Sequence, residues 1–218
     1  MLWGTEREQL AAASRRVGEG GLVVGTAGNL SVRCSDDHVA VTATGGVLAE
    51  LTAEMTTVVD LDGKHVDGEL APTSEVPLHL SVYASTDARA VAHAHALAST
   101  AVACTHDELP AVHYTILQLG GSVRVAPYAT FGSEELAANV TAALAGRNAA
   151  LMENHGSVAY GRTLTEACER LELLEWLSEL YSRSVALGKP RILTDGDLEA
   201  VILAAINKGY GTTRKAES

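Results

Sequence analysis

The spacing of apolar residues along this chain is helical in some segments and typical of strands in others. In residues 6–19, Leu10, Ala13 and Val17 lie at the spacing of one helix face, and glycines follow directly. Short valine-rich runs such as 39–42 are bounded by turn residues and predict strands. The whole pattern predicts helices at residues 6–19, 72–85, 98–104, 133–145, 165–187 and 195–206, and strands at 30–33, 39–42, 57–61, 90–95, 149–152 and 157–160.

This order of elements predicts an α/β or α+β fold. Strands that alternate with helices allow the helices to cover a central sheet, and no repeat or low-complexity linker divides the chain. We therefore expect one domain over residues 1–218 of the 218-residue chain. Its polar end, residues 207–218, is expected to be flexible.

Three of the predicted helices carry start signals. The segment 72–75 (Pro-Thr-Ser-Glu) offers a hydroxyl cap and a carboxylate for the first turn of the helix that follows it. Ser133 is the expected cap of the helix at 133–145. The longest helix is expected to open at Thr165 and to close before Pro190.

Composition and charge narrow the classes of function. The chain is 47% hydrophobic and 20% charged, which suffices for a real core. Its net charge of −11 argues against a nucleic-acid binder, because such a protein needs a basic surface. A phosphate-bearing substrate must then be held by local hydrogen-bond donors or by a metal ion rather than by the overall field.

Cysteine usage and hydropathy indicate a compartment. The three cysteines are odd in number and lack C-x-x-C spacing, so neither a disulfide framework nor a zinc knuckle is expected. No segment resembles a signal peptide or reaches the roughly 18 apolar residues of a membrane span. We expect a reducing, cytoplasmic setting without membrane contact.

Two histidines form an H-x-H pair inside a predicted strand. Because side chains alternate along a strand, His93 and His95 should point to the same face, where they can share one metal ion. His155, in the sequence E-N-H-G, is the best candidate for a third ligand. An isolated H-x-H pair is more often structural, and the remaining five histidines are expected at the surface or satisfied within the core.

Glu75 allows two compatible interpretations. As part of Pro-Thr-Ser-Glu at a helix start it can serve helix capping alone. It can equally be a general base held beside a metal, where its pKa is tuned by the surroundings.

Three segments rich in small and hydroxyl-bearing residues are candidate anion sites. Residues 25–29 (Gly-Thr-Ala-Gly-Asn) form a turn in which backbone N–H groups can approach a phosphate, and 44–46 and 73–74 offer similar donors. Each is more often an ordinary turn, and none matches a P-loop or a dinucleotide-binding fingerprint.

Taken in order, these motifs resemble those of a known family. The stretches GTAGNLSVR, TATGG, PTSE, VAHAHA, HYTILQLGG, APYATFG, ENHG and NKGYG run from about residue 20 to residue 211. In this order they resemble the class II aldolase/adducin family, most closely its members that cleave L-fuculose 1-phosphate. The resemblance implies one mainly antiparallel sheet with helices on both faces.

The resemblance also implies roles for individual residues. Zn²⁺, one per subunit, would be bound by His93, His95 and His155, with Glu75 as a displaceable fourth ligand or catalytic acid/base. The substrate phosphate would be held by Thr26, Gly28, Asn29, Thr44, Gly45, Thr73 and Ser74. Tyr114 would handle the proton on the C4 oxygen, and Phe131 and Tyr210 would complete the site.

The implied activity is reversible cleavage of a ketose 1-phosphate to dihydroxyacetone phosphate and an aldehyde such as L-lactaldehyde. The implied assembly is a homotetramer in which Tyr114 and the tail reach the site of an adjoining subunit. Where the family usually has S-S-E and P-T-G, this chain has Thr73–Ser74–Glu75 and Ala43–Thr44–Gly45. Residues 47–49 differ more, which leaves the aldehyde side, and hence the sugar, open.

Three alternatives on the same scaffold remain. In pentulose-phosphate 4-epimerases the position of Glu75 is usually aspartate, and methylthioribulose-1-phosphate dehydratases often have H-T-H where this chain has H-A-H. An adducin-like, non-enzymatic module would have lost the ligands. The presence of all three histidines and Glu75 favours the aldolase.

Overall fold

A nine-stranded sheet forms the centre of the protein, and the computed structural model describes residues 1–208. The strands are β1 (Asn29–Arg33), β2 (His38–Thr42), β3 (Thr56–Asp60), β4 (His65–Asp67), β5 (Ala90–Ala94), β6 (Glu108–Leu109), β7 (Val123–Ala126), β8 (Ala149–Met152) and β9 (Gly156–Gly161). They lie in the order β4-β3-β2-β1-β5-β9-β8-β7-β6. Only the β7–β8 pair among these strands is parallel, as expected for a mainly antiparallel sheet.

Helices cover both faces of the sheet. They are α1 (Gly4–Glu19), α2 (Val76–Ser85), α3 (Leu97–Ala103), α4 (Glu134–Ala143), α5 (Leu164–Leu187) and α6 (Asp195–Lys208), with short 3₁₀ helices at Leu48–Glu50, Ala53–Met55 and Tyr114–Leu119. Alternate residues of β2 divide between two cores: Ala40 packs with α1, α3 and α5, whereas Val39 and Val41 pack with α2 and α4. The predicted fold class is confirmed.

Most predicted elements are present with small shifts at their ends. The edge strands β4 and β6 were not predicted, because three and two residues carry little periodic pattern, and the four-residue strand β7 beside β6 was also not predicted. The strand β5 ends at Ala94, so His95 lies just beyond it rather than inside it as expected.

Two predicted helix starts were wrong. α2 begins at Val76 with Glu75 in the capping position, where no side chain caps the helix; the Thr73 hydroxyl instead accepts a hydrogen bond from the Glu75 backbone N–H at 3.3 Å. α5 begins at Leu164 because Thr163, two residues before the expected start, accepts the Glu166 N–H at 3.1 Å. Ser133 caps α4 as predicted.

α6 differs from the other α-helices in burying none of its residues. Ile202, Leu203 and Ile206 on it are 45%, 55% and 72% exposed. Residues 207 and 208 complete this helix, and the rest of the tail, including Tyr210, lies outside the described residues. Within residues 1–208, no helix is both long enough and apolar enough to cross a bilayer.

Candidate metal centre and cavity

The predicted metal ligands come from three parts of the fold. His93 and His95 lie at the end of β5, His155 lies in the turn between β8 and β9, and Glu75 immediately precedes α2. Asn29 at the start of β1 pairs with His93 on β5, and His93 pairs with Val158 on β9. The turn between β8 and β9 carries His155 past the end of β5, close to His95. This approach requires Gly156, since a Cβ there would lie 2.4 Å from the Ala94 carbonyl oxygen.

The four side chains converge on one point. His93 Nε2 lies 3.0 Å from His95 Nε2 and 3.1 Å from Glu75 Oε2, and His155 Nε2 lies 3.4 Å from Glu75 Oε1. One ligand atom from each of the four lies within 4.8 Å of every other. Among residues 1–208 this is the group of histidine, cysteine and carboxylate side chains whose geometry suits a metal ion.

Burial and mutual charge shift the pKa values of this cluster. Burial raises the pKa of Glu75, but the charge of His93 and hydrogen bonds from His93 and Asn29 outweigh it and hold that pKa well below its usual range. Burial lowers the pKa of His93, while the Glu75 carboxylate raises it more. Burial, with the charge on His93, lowers the pKa values of both His95 and His155 to about 4. An ionised carboxylate and neutral imidazoles are the forms that bind metal. The shifts at Glu75, His95 and His155 favour these forms, whereas a metal ion would have to displace the proton that Glu75 favours on His93.

Two further observations fit a bound cation. Glu75 Oε1 is buried and has no hydrogen-bond partner among the described residues, although buried polar atoms are normally paired. His93 Nδ1 lies 2.9 Å from the Ser157 carbonyl oxygen, to which it donates, so in the neutral ring the lone pair is on Nε2, which faces the cluster. Three imidazole nitrogens and one carboxylate suit Zn²⁺ and also Co²⁺ or Mn²⁺.

Glu75, His95 and His155 line the inner wall of a cavity of about 430 Å³, and His93 is fully buried behind them. The loop after β2 builds the opposite wall by pairing with the segment before α2: Ala43 bridges Pro72, and the Thr44 N–H donates to Ala71 O at 3.0 Å. The predicted phosphate-binding residues all line this cavity, namely Thr26, Gly28, Asn29, Thr44, Gly45, Thr73 and Ser74.

Backbone shape at Gly28 explains why a glycine is needed there. Its φ is +85°, and a Cβ would lie 2.7 Å from Val23 Cγ1 and 2.9 Å from the His93 carbonyl oxygen. The chain can therefore pass directly over the end of β5, and the 25–29 turn reaches the metal centre only because no side chain stands between them.

The remaining predicted site residues are distributed differently. Phe131 lines the mouth of the cavity and is 65% exposed. Tyr114 does not line this cavity; it lies beside α6, near Val201 and Lys208 of the same chain. The roles given to Tyr114 and Tyr210 stay predictions.

Sequence reasoning missed two polar residues that line the cavity. Tyr128 lies at the mouth, where its backbone N–H donates to Glu153 at 2.9 Å, and Asn154 adopts a left-handed backbone with φ of 53°. Both belong to stretches used in the sequence comparison, APYATFG and ENHG, so their position beside Phe131 and His155 was the available signal.

Comparison with known proteins supports the family expected from the motifs. An L-fuculose phosphate aldolase of Escherichia coli (strain K12) is 41% identical over 194 residues, which cover 88% of this chain and 88% of that protein. A 5-deoxy-D-ribulose 1-phosphate aldolase of Bacillus thuringiensis serovar kurstaki is 34% identical over 213 residues, which cover 97% of this chain and 99% of that protein. A solved structure of L-fuculose 1-phosphate aldolase superposes with a TM-score of 0.87 at 36% identity, covering 94% of this chain and 97% of that one.

One relative has a different type of reaction. A 3-oxo-tetronate 4-phosphate decarboxylase of Haemophilus influenzae is 34% identical over 203 residues, which cover 89% of this chain and 94% of that protein. Residues 8–182 match the family model of the class II aldolase and adducin N-terminal domain. The chain therefore belongs to the class II aldolase and adducin N-terminal domain family.

Proposed function

We propose that this protein is a zinc-dependent aldolase that cleaves a ketose 1-phosphate reversibly into dihydroxyacetone phosphate and an aldehyde. L-Fuculose 1-phosphate, which would give L-lactaldehyde, and 5-deoxyribulose 1-phosphate are the first candidate substrates. The observation that carries the proposal is the convergence of three imidazoles and the Glu75 carboxylate at the inner end of a cavity rich in hydroxyl groups.

His93, His95 and His155 would hold the metal, with Glu75 as a displaceable fourth ligand. When bound, a divalent ion supplies Lewis-acid stabilisation of the negative charge that develops on the substrate oxygens as the C3–C4 bond breaks. The protein's own contribution is to aim these imidazoles inward, as the Ser157 carbonyl does for His93, and burial favours the neutral form of His95 and His155.

Glu75 is the proposed acid/base at the substrate carbon. In cleavage, the electron pair of the C3–C4 bond stays with C3, and Glu75 delivers to C3 a proton that it has taken from solvent. In condensation, the ionised carboxylate removes that proton. Its position in the cavity beside the three histidines and the absence of a hydrogen-bond partner on Oε1 among the described residues support this role.

The outer wall is the proposed phosphate site. Thr26, Thr44, Thr73 and Ser74 bring hydroxyl groups to the cavity, and Gly28 and Gly45 let the backbone approach an anion closely. Local donors of this kind are required because the chain carries a net charge of −11. Asn29 lines the same cavity, but its amide is already hydrogen-bonded to Glu75 and His79. Its main contact is therefore with the carboxylate rather than with a phosphate.

We further propose a homotetramer with active sites between subunits. Tyr114, which would accept the C4 hydroxyl proton, and Tyr210 would then reach the cavity of an adjoining subunit, where Phe131 lies at the mouth. The exposed apolar side chains of α6 beside Tyr114 support an interface there. Residues 1–218 would form one domain, and the three unpaired cysteines support a reducing cytoplasmic setting.

The first test is a coupled assay for dihydroxyacetone phosphate, run over L-fuculose, L-rhamnulose, 5-deoxyribulose and 5-methylthioribulose 1-phosphates with and without a zinc chelator. Release from one sugar that chelation abolishes and added Zn²⁺ restores is the expected result. Release that is insensitive to complete removal of the metal would refute the metal-dependent mechanism.

Subunit sharing has its own test. Glu75→Gln and Tyr114→Phe variants, each of low activity, are mixed under conditions that exchange subunits. If Tyr114 acts on the neighbouring site, hybrid sites with wild-type Glu75 and wild-type Tyr114 regain activity. A monomer by sedimentation, or mixtures no more active than their parts, would contradict the proposal.

Decarboxylation of a 3-oxo acid phosphate is the second candidate, favoured by the Haemophilus influenzae relative. Loss of CO₂ leaves the same kind of charge beside a carbonyl as aldol cleavage, so the same centre serves both reactions. Sugar 4-epimerisation and dehydration follow as alternatives. Measured CO₂ release from a 3-oxo acid phosphate, with no dihydroxyacetone phosphate from any sugar, would decide for the decarboxylase.

A further inference from the structure

A buried chain of polar side chains runs from Glu75 away from the cavity, and the proposed mechanism does not use it. Asn29 Nδ2 lies 2.8 Å from Glu75 Oε2, and Asn29 Oδ1 lies 2.6 Å from His79 Nε2. Ser31 Oγ lies 2.7 Å from His79 Nδ1 and 2.8 Å from the Tyr83 hydroxyl. All five side chains are buried, and His79 has no exposed surface at all.

The chain of contacts arises from two regular spacings. Glu75, His79 and Tyr83 follow one another at intervals of four, so they line one face at the start of α2 and along it. Asn29 and Ser31 are alternate residues of β1 and therefore point to the same face of the sheet. The helix stripe and the strand pair interdigitate, which places a polar seam inside an otherwise apolar core.

The chemistry of the groups fixes the direction of every hydrogen bond. The ionised Glu75 carboxylate only accepts, so the Asn29 amide must turn its NH₂ towards Glu75 and its oxygen towards His79. His79 then donates from Nε2, and its bare Nδ1 accepts from Ser31. Because the Ser31 hydroxyl has a single hydrogen, its oxygen accepts from Tyr83. Burial supports this arrangement by lowering the pKa of His79 to about 3, which keeps the ring neutral.

We propose that His79 is a positioning residue for Glu75 and acts through Asn29. It fixes the Asn29 amide so that Oε2 of Glu75 is occupied by a donor, while Oε1 is left for the metal and the substrate. This inference rests on the proposed metal centre. It explains why one carboxylate oxygen is paired and the other has no hydrogen-bond partner among the described residues.

The competing interpretation is that the seam only stabilises the core. Both interpretations predict a lower free energy of unfolding when His79 is replaced, so stability cannot separate them. Metal affinity and the split between kcat and KM can, because partners behind a metal ligand typically change affinity or turnover by about 10- to 100-fold.

Three variants form the test. His79→Leu removes the donor to Asn29, His79→Gln restores an amide N–H at a similar reach, and Leu78→Ala weakens the neighbouring core without touching the seam. Each purified protein is titrated with Zn²⁺ against a chelator and loaded with Co²⁺, whose visible absorption reports the ligand geometry. Activity on the substrate found in the panel assay is measured in parallel.

His79→Leu is expected to lower zinc affinity or kcat by about 10- to 100-fold with KM little changed, and to alter the Co²⁺ spectrum. His79→Gln should recover most of the loss, and Leu78→Ala should keep the wild-type spectrum and kcat despite its lower stability. In a Glu75→Gln background, adding His79→Leu should cost little further turnover, because both changes act on one group.

A His79→Leu protein with wild-type zinc affinity, Co²⁺ spectrum and kcat would overturn the proposal. If His79→Leu fails to fold, comparison of His79→Gln with Asn29→Leu takes its place: Asn29→Leu should reproduce the loss, and wild-type metal binding in it would overturn the proposal equally. Failure of the aldolase proposal itself would appear as an absence of turnover in every protein, wild type included, while zinc affinity and the Co²⁺ spectrum still report on His79.

Discussion

At the inner end of the cavity Glu75 and His93 are almost fully buried, whereas Tyr128 and Phe131 at its mouth are 59% and 65% exposed. Side-chain and backbone partners hold the inner groups: Asn29 and His93 contact Glu75, and the Ser157 carbonyl accepts from His93. The mouth is held mainly by its backbone, as at the Tyr128 N–H. Within a single chain, the end of the cavity with Glu75 and His93 is therefore buried, whereas the mouth, which would contact the aldehyde, is open to solvent.

The difference in burial between the two ends fits the different requirements of a metal site and of the entrance to a substrate pocket. Preorganised dipoles and ligands act best when burial removes competing water. A mouth can be completed later, by substrate or by another subunit, at little cost to the fold. The two ends should therefore respond to substitution by different amounts and in different measurements.

The largest expected effect comes from Glu75→Gln at the inner end. The amide removes the base, so kcat should fall by about 10²- to 10⁴-fold. The Asn29 donor will bind the Gln oxygen and turn the NH₂ towards the metal position, which weakens but does not abolish metal binding, since three histidines remain. Metal content by atomic spectroscopy and steady-state kinetics check both parts. Glu134→Gln, an exposed carboxylate in the first turn of α4, is the charge-matched control; undiminished kcat in Glu75→Gln would refute its role.

The three histidines at the inner end of the cavity could be predicted from the sequence, but the buried polar side chains behind Glu75 could not. The H-x-H spacing and the E-N-H-G turn indicated His93, His95 and His155, because a period of two and a glycine turn are local features. The seam behind Glu75 depends on β1 packing beneath α2, a tertiary contact that no local pattern reports. A polar residue at every fourth helix position looks like a solvent-facing stripe until that packing is known, and His79 was accordingly expected only as a surface or satisfied core residue.

The same limit explains the mouth of the cavity. Tyr128 and Asn154 lie next to motif residues, yet only the loop geometry shows that they line the cavity. For Tyr114 the motif predicts a role, whereas the single chain places the residue beside α6. Sequence therefore indicated the clustered histidines and Glu75 better than the side chains packed behind them or the residues at the mouth of the cavity.

The second effect concerns stability at low pH. Burial is the main cause of the low His79 pKa of about 3; the charge of His93 adds to it and that of Glu75 opposes it. The unfolded chain takes up a proton below about pH 6.5, and the folded one does not. The free energy of unfolding should therefore fall as pH decreases through this window, by up to about 1.4 kcal/mol per pH unit from this group.

Urea denaturation at about pH 7, 5.5 and 4.5 with a chelator present measures that slope. His79→Gln has no proton to gain and should show a shallower slope than wild type. His106→Gln, which replaces an exposed histidine, should keep the wild-type slope. Equal slopes in wild type and His79→Gln would mean that His79 titrates alike in both states, contrary to a neutral ring within the seam.

The third prediction concerns the proposed phosphate site, which lies between the inner end and the mouth of the cavity. Ser74→Ala removes one hydroxyl from the proposed phosphate site, and a hydrogen bond to a charged group contributes about 1.5–3 kcal/mol. KM should rise about tenfold or more, while kcat and metal content stay near wild type. Ser85→Ala, at the exposed end of α2, provides the matched control. A change in metal content without a change in KM would move Ser74 from the phosphate to the metal centre.

The smallest effect is expected at the mouth, from Phe131→Ala. The ring is mostly exposed and lies outside the metal cluster, so zinc affinity and unfolding free energy should stay close to wild type. Apolar contacts with the aldehyde end discriminate only modestly between similar substrates. One methylene contributes about 1–3 kcal/mol in a closed pocket and less in an open one. We expect the ratio of kcat/KM between 5-deoxyribulose and 5-methylthioribulose 1-phosphates to shift by less than about tenfold. A loss as large as that of Glu75→Gln would show instead that the mouth is closed and organised during turnover, and the contrast between the two ends would then belong to the isolated chain alone.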